Sequence, residues 1–367
     1  MSRGFFKRSN RRLRGRKRIL ARKKRKQWSR IKKRLFLSVI TVFALALIVF
    51  GISAFVRGCS LQGGRSEADI MGPFIPEDAL WIDGVSWIFR EQDTSVPLTR
   101  VSGQWIQILE QDGNWYRVDA AQGIGWMRRN FSPSPEGIDT LIGMYGSSLG
   151  IYFENLETGF VFQSNGGQDF YSASTMKAVH AFYLYQQAEQ GYIDLSEYIF
   201  TYQRGSRVSL TVDEALRLNI SESDNAASNS LANRFGVEGY RSFIDELGAE
   251  VSFQGNRVMN HALTPRDAGL FMREIFAYIE SDGRYSQDFK NHLLDNQYPF
   301  IVSDYPVASK TGWFPPYAWH DMAIVYAESP YILVILAARS GWNERDYREF
   351  AEISMAFQEF NRKWFVE

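Results

Sequence analysis

Ser174 and Lys177 lie three residues apart in a stretch, residues 171–182, that reads as a strand end turning into an amphipathic helix. Positions i and i+3 of a helix share a face, so the Ser174 hydroxyl and the Lys177 amine can open into one pocket. A serine hydroxyl is a poor nucleophile unless a neighbouring base takes its proton. A lysine is that base only where burial or nearby positive charge drives its pKa towards neutrality. Ser174 also falls at the expected helix start, where free backbone N–H groups and the helix dipole favour a developing oxyanion. S-x-x-K alone arises by chance in many chains, so the question passes to the partners the rest of the chain supplies.

The surrounding patterning describes the elements that would hold such a pair. Residues 150–159 and 160–163 alternate as a hairpin leading into the Ser174 helix, which runs to about Gln190 and stops at Gly191, a helix-ending glycine. Thr211-Val212-Asp213-Glu214 is a capping box, opening a helix that turns Ala215, Leu216, Leu218 and Ile220 inward. It ends at Ser221-Glu222-Ser223-Asp224-Asn225-Ala226, and another helix spans 227–234. Segments 307–313, 318–326 and 331–338 form a three-stranded antiparallel meander, and 343–365 is a long helix with Tyr347, Phe350, Ile353, Phe357 and Phe360 at helical spacing. Strands, then helices, then strands and a last helix describe an α/β (α+β) domain, an antiparallel sheet with flanking helices.

That domain carries Ser174-x-x-Lys177, Ser223-Asp224-Asn225 and Lys310-Thr311-Gly312 in order. Singly, the second is an ordinary helix cap and the third a strand-edge charge followed by a turn. Together they resemble the motif trio of the penicillin-recognising serine hydrolases, in particular the class A β-lactamase-like group, over residues 138–367. The resemblance implies a β-lactamase/D,D-peptidase-like fold with a helical subdomain, and an acyl-enzyme mechanism. Ser174 would attack a strained lactam carbonyl or that of a D-alanyl-D-alanine peptide. Lys177 would be the acylation base, its pKa lowered by Lys310, and Ser223 would relay a proton to the leaving nitrogen. Asn225 would bind the substrate's side-chain amide, and Thr311, beside Lys310 and Gly312, the substrate carboxylate. The backbone N–H groups of Ser174 and Trp313 would form the oxyanion hole.

One family part is missing. Class A enzymes usually carry an E-x-x-L-N segment whose glutamate activates the deacylating water. Here the corresponding stretch, 247–265, holds only Glu250, immediately after Leu247-Gly248 and badly placed for the role. A shortened loop, intact acylation and slow hydrolysis of a β-lactam adduct are therefore expected. Three activities stay open: a β-lactamase-like hydrolase, a D,D-peptidase (carboxypeptidase or transpeptidase) acting on peptidoglycan, and a sensor that is acylated without turnover. His180, His261, His292 and His320 form no H-x-H, H-E-x-x-H or Cys/His cluster, so neither a metal nor a cofactor is expected. His320 follows Lys310-Thr311-Gly312 by one strand, where related enzymes place a carboxylate-binding basic residue; a surface or turn histidine is the preferred reading.

The N-terminal third organises delivery rather than chemistry. Residues 1–34 hold 18 Lys and Arg and no Asp or Glu, whereas the remainder carries 24 basic against 41 acidic residues, a net of −17. Between them, residues 35–56 are 22 consecutive uncharged residues. At 1.5 Å per residue that is roughly 33 Å of helix, enough to cross a hydrocarbon core of about 30 Å. The basic flank orients such a segment with a cytoplasmic tail and an extracellular catalytic domain. No folded basic domain exists to bind nucleic acid. Cys59 is the sole cysteine, and Arg57 before it makes a poor lipidation site. Residues 57–75 read as a stalk. Short aromatic-rich strand signals at 81–82, 85–88, 104–109, 115–118 and 124–127 argue a small all-β barrel over 76–131. The phrase 112–118 with Gly123-Ile124-Gly125-Trp126-Met127 resembles a bacterial SH3-like domain, which implies either contact with cell-wall peptide or a plain spacer. Residues 132–137 are a linker.

Overall fold

The computed structural model describes residues 79–366 apart from 83–84, 121–122, 204, 254–256, 260, 316 and 339–343. The basic tail, the apolar run 35–56, the stalk and Cys59 lie outside the described residues. Among those described, no helix is long and apolar enough to cross a membrane.

The first part is an all-antiparallel sheet of six strands: β1 Ala79–Ile82, β2 Ser86–Phe89, β3 Pro97–Val101, β4 Gln104–Asp112, β5 Trp115–Ala120 and β6 Gly123–Arg128, in the order β1-β4-β5-β6-β2-β3. Five of these are the strands that aromatic alternation marks out. β3 (Pro-Leu-Thr-Arg-Val) opens on a proline and lacks that alternation; it is held as an edge strand by pairing with β2. Ile82, Ile88, Val101, Ile106, Val118 and Met127 fill the interior. β2 is buried on both faces. Ile88 points into this small core, while Trp87 and Phe89 join the core of the following domain.

Residues 132–137 therefore connect two parts that are packed together. Trp87 meets Phe131, Phe160, Trp364 and Phe365 edge-on at 5.6–6.1 Å, and Pro133 and Pro135 are buried. Residues 78–367 form one compact unit.

The second part begins with α1 Ile138–Tyr145, too short and too weakly patterned to stand out in the sequence. Next come β7 Leu149–Asn155, β8 Val161–Ser164 and β9 Phe170–Tyr171, then a 3-10 turn Ala173–Thr175 and α2 Met176–Glu189. A helical subdomain follows: the hairpin β10 Tyr198–Gln203 and β11 Ser206–Thr211, α3 Val212–Ser221, α4 Asn225–Phe235 and α5 Glu238–Glu246. β12 Ala262–Leu263 pairs with β9. The chain continues through α6 Pro265–Ile279, α7 Ser286–Leu294, β13 Val307–Phe314, β14 Ala318–Val325, β15 Tyr331–Ala337 and α8 Glu344–Phe365.

The main sheet is antiparallel in the order β13-β14-β15-β7-β8. Its middle strand, β15, is apolar without a break because both faces are covered. Leu333, Ile335 and Ala337 of β15 face the core shared with α8, whereas Ile332, Val334 and Leu336 face the core shared with α2 and α6. The capping box at Thr211 forms as the sequence predicts, with Glu214 N–H donating to Thr211 Oγ1 and Thr211 N–H to Glu214 Oε2. α2 is buried over most of its length, so two of its polar members, Lys177 and His180, sit in the interior.

Candidate active site

The nucleophile candidate precedes α2 rather than lying inside it. Ser174 occupies the 3-10 turn, and Ala173 just before it takes φ +47°, a left-handed value that costs a non-glycine residue energy. Several bonds hold this turn. Ser172 N–H donates to His261 O at 2.9 Å, His261 N–H donates back to Ser172 Oγ at 3.0 Å, and Thr175 Oγ1 donates to Ser172 O at 2.6 Å. His320 supplies another. Ala337 N–H donates to its Nδ1 at 3.0 Å, which leaves the proton on Nε2 to donate to Tyr171 O at 2.8 Å. His320 is fully buried on β14, so the surface or turn reading is corrected. Burial holds its pKa down to about 4, and it works as a neutral strut between the sheet and the strand that enters the Ser174 turn.

Behind the turn, β13 comes very close. A Cβ built on Gly312 would lie 2.8 Å from Thr175 N and 3.0 Å from Ser174 N. Only glycine lets the strand carrying Lys310 approach the Ser174 amide this tightly.

The two lysines converge on the loop between α3 and α4. Ser223 adopts φ +53°, and Asp224 caps α4 by accepting from Ala227 N–H at 2.6 Å. α4 starts at Asn225, two residues before the start expected from sequence, so Asn225 projects from its first turn. Lys177 Nζ donates to Ser223 O at 2.6 Å, Asn225 Oδ1 at 2.7 Å and Ser223 Oγ at 3.3 Å. Lys310 Nζ reaches Ser223 Oγ at 3.0 Å and Thr311 O at 2.8 Å. Both lysines have no exposed surface. Burial pushes Lys177 down to about 8, against the pull of Asp224. Burial and then the Lys177 charge push Lys310 down to about 7, opposed by Asp321. At neutral pH the pair thus carries fewer than two protons, and the Ser223 hydroxyl links the two nitrogens. One amine can be free base while the other is cationic.

Four further residues complete the site, and motif reading does not find them. Thr311 Oγ1 donates to Tyr298 O at 2.7 Å and accepts from Asn296 Nδ2 at 3.0 Å, and the same amide reaches Ser309 Oγ at 2.8 Å. The Thr311 proton is therefore engaged by the 296–298 loop. A substrate carboxylate would have to compete for it. Asp321, opposite Thr311 in the β13–β14 register, is buried; its Oδ2 accepts from Phe300 and Ile301 N–H at 2.8 and 3.0 Å. Burial raises it to about 6, which leaves it largely ionised at neutral pH beside Lys310. A charged residue next to the apolar run Met322–Val325 is the available signal. The fourth is Met259, whose Sδ lies 3.7 Å from Ser174 Oγ. No sequence pattern marks it.

Glu250 lies far from a role in the chemistry: it is exposed, and its amide, not its carboxylate, contacts Asp267, by donating to Oδ1 at 3.3 Å. Among the described residues, the group bonded to Ser174 Oγ from the 247–265 stretch is thus a thioether. Trp313 follows Gly312 on β13 with its side chain partly exposed; its backbone adjoins the Ser174 turn through that glycine.

A buried lysine pair bridged by a serine, beside a serine on a strained turn at a helix start and on a five-stranded antiparallel sheet, defines a serine hydrolase. The family model described as the Beta-lactamase enzyme family matches residues 135–359. The chain belongs to that family. Solved structures agree on the fold. A β-lactamase from Chitinophaga pinensis DSM 2588 superposes with a TM-score of 0.55 at 20% identity, covering 61% of this chain and 97% of that one. An ancestral class A β-lactamase (GNCA) gives 0.53 at 21% identity, over 62% and 99%. A point mutant of PBP-A, solved as an acyl-enzyme complex with penicillin G, gives 0.54 at 20% identity, over 61% and 96%. No curated protein matches the sequence.

Proposed function

We propose that this chain is a membrane-anchored, extracytoplasmic active-site-serine hydrolase that forms an acyl-enzyme on Ser174 with β-lactams or D-alanyl peptides and releases it slowly. The observation that carries the proposal is the Ser223 hydroxyl bridging two buried, depressed lysines, one of them three residues after Ser174. Ser174 Oγ attacks the carbonyl carbon, and its proton passes to the free-base amine of Lys177. The tetrahedral oxyanion rests on the N–H groups of Ser174 and Trp313. As the C–N bond breaks, Ser223 gives its proton to the leaving nitrogen and is reprotonated from the lysine pair. The pair shares fewer than two protons at neutral pH. When the remaining proton sits on Lys310, which the Asp321 charge favours against burial, a substrate carboxylate meets a positive charge there and Lys177 is the base. Asn225, already accepting from Lys177, presents its amide to the acyl side chain.

Deacylation needs a base for water. Met259 stands by Ser174 Oγ, and a thioether cannot accept that proton usefully. This favours peptidoglycan D,D-peptidase chemistry, or a β-lactam or wall-fragment sensor that is acylated without turnover, over rapid antibiotic hydrolysis. Residues 35–56 anchor the chain in the membrane, with residues 1–34 cytoplasmic. Residues 76–131 act as an SH3-like module that spaces the catalytic domain or meets the cell wall. Trp81 and Trp105, exposed side by side on paired strands with ring centroids 5.5 Å apart, support the second use.

A fluorescent penicillin added to the full chain in membranes, followed by mass spectrometry, tests the reading. A persistent adduct on the peptide containing Ser174, absent from Ser174→Ala, is expected. An unlabelled wild-type protein refutes the acyl-enzyme mechanism, and labelling of Ser174→Ala refutes the nucleophile.

A further inference from the structure

Beyond the lysine pair, the outer end of β13 is unusually aromatic. Trp313, Phe314, Tyr317 and Tyr298 each keep 43–60% of their surface exposed. Phe314 stacks on Tyr317 at 5.9 Å, and Tyr298 meets Trp313 edge-on at 5.6 Å. Between the 297–300 loop and the β13–β14 hairpin lies a cavity of 670 Å³, walled by Tyr298, Pro299, Phe300, Trp313, Pro315 and Trp319. That volume is the size of a small-molecule site, and an apolar aromatic wall with few polar groups is the usual composition of one. The polar residue on its rim, Gln297, has its amide nitrogen committed to Asp295. No lining side chain carries a formal charge.

The cavity is built from the same bonds that hold the catalytic strand. Tyr298 O accepts from Thr311, and Phe300 N–H donates to Asp321. Its walls are therefore in place before any ligand arrives. Trp313 is two residues beyond Thr311 on the same face of β13, roughly 7 Å along the strand, and Thr311 is the residue proposed to grip the substrate carboxylate beside Lys310. A ligand spanning the two would carry an anion at one end and an uncharged flat ring at the other. Asn225 receives the opposite, acyl portion from the helical side of the cleft. The ring therefore belongs to the half of the substrate that bears the carboxylate and the amine nitrogen.

We propose that this cavity is a specificity subsite for an uncharged aromatic ring on the carboxylate-bearing, amine-side half of the substrate. The inference rests on the acyl-enzyme reading above, and the test separates the two. Two cephalosporins sharing one 7-acyl group, with a styryl or a methyl group at C3, are compared on the full chain. The ratio of their acylation rate constants, styryl over methyl, is measured for wild type, Tyr298→Ala and Trp313→Ala. Both side chains are half exposed, so truncation leaves the core intact. The ratio should fall about tenfold in each variant, the scale of losing one well-packed aromatic contact. A ratio unchanged by both substitutions overturns the subsite.

Calorimetry on Ser174→Ala then reads binding without chemistry. The styryl compound should bind about tenfold more tightly than the methyl compound, and Tyr298→Ala should erase the difference. Wild type that neither compound acylates refutes the mechanism, yet the Ser174→Ala comparison still judges the cavity, where equal affinities overturn it. Displacement of the styryl compound by a trimer of N-acetylglucosamine would mean that the cavity takes a sugar ring, and would overturn the aromatic assignment.

Discussion

Gly312→Ala probes the geometry on which every proposed step depends. The added methyl would sit 2.8 Å from Thr175 N, 3.0 Å from Ser174 N and 3.0 Å from Thr175 Cγ2. Ordinary contact begins near 3.4 Å, so two backbone atoms must each give by several tenths of an ångström. Neither can swing away as a side-chain tip would, because the turn is pinned through Ser172, His261 and His320. Overpacking of this kind costs about 1–3 kcal/mol, which in a domain of this size lowers Tm by about 2–10 °C. The displaced atoms include the Ser174 amide, one of the two proposed oxyanion donors. Loss of such a donor costs about 10²–10³ in rate, so acylation should slow by at least about tenfold beyond any loss of folded protein. Thermal unfolding by circular dichroism gives the first quantity, and the second-order rate of fluorescent penicillin labelling gives the second. An alanine variant with wild-type Tm and wild-type labelling would refute the close approach of β13 to the Ser174 turn.

The lysine pair makes acylation pH-dependent. Protonating both nitrogens removes the base, so the labelling rate should fall as pH drops through about 8 to 7, the two values belonging to the pair. Asp321→Asn keeps an oxygen acceptor for Phe300 and Ile301 but removes a charge that favours ammonium, so the acid limb should move to lower pH; an upward shift contradicts the assignment. The same depressed lysines bind protons more weakly folded than unfolded, so their contribution to stability is unfavourable at pH 7 and is relieved as pH rises towards 10.5; denaturant midpoints across that window check the sign. Met259→Glu supplies a carboxylate beside Ser174 Oγ and should shorten the adduct lifetime by about tenfold or more, general-base catalysis being worth about 10²–10⁴. A wild-type adduct that clears as fast as the variant's would mean that another group activates water. Trp87→Ala removes the ring that joins β2 to α8 and should cost about 3–5 kcal/mol; a change under about 1 kcal/mol in chemical denaturation would show that the two parts do not share a core.

The sequence carries the site's chemistry further than its geometry. Ser174, Lys177, Ser223, Asn225 and Lys310 are legible as motif residues because each is embedded in a local signal, such as the helix start before Met176 or the cap at Asp224. The strands around them are legible through alternation or unbroken apolar runs, and α8 through Phe350, Ile353, Phe357 and Phe360 at helical spacing. Helices α5 and α7 are not, being short and polar enough that tertiary packing decides them; β10, by contrast, carries a strand signal of its own in Tyr198-Ile199-Phe200-Thr201-Tyr202. Asn296, Tyr298 and Asp321 escape because their partners lie on other segments, brought into reach only by the β13–β14 register and the loop beneath it.

His320 shows the same limit from the other side. A histidine after a turn reads as surface, yet the pairing of β14 with β15 buries it and spends both ring nitrogens on backbone. Sequence alone determined which residues could make an acyl-enzyme, and that a glutamate was missing from the loop that usually breaks one. The tertiary structure alone decided that the two lysines meet on one hydroxyl, that Met259 stands by Ser174 Oγ, and that the β-rich first part shares its core with the C-terminal helix. Those outcomes depend on distances between segments tens to hundreds of residues apart, which local propensity does not encode.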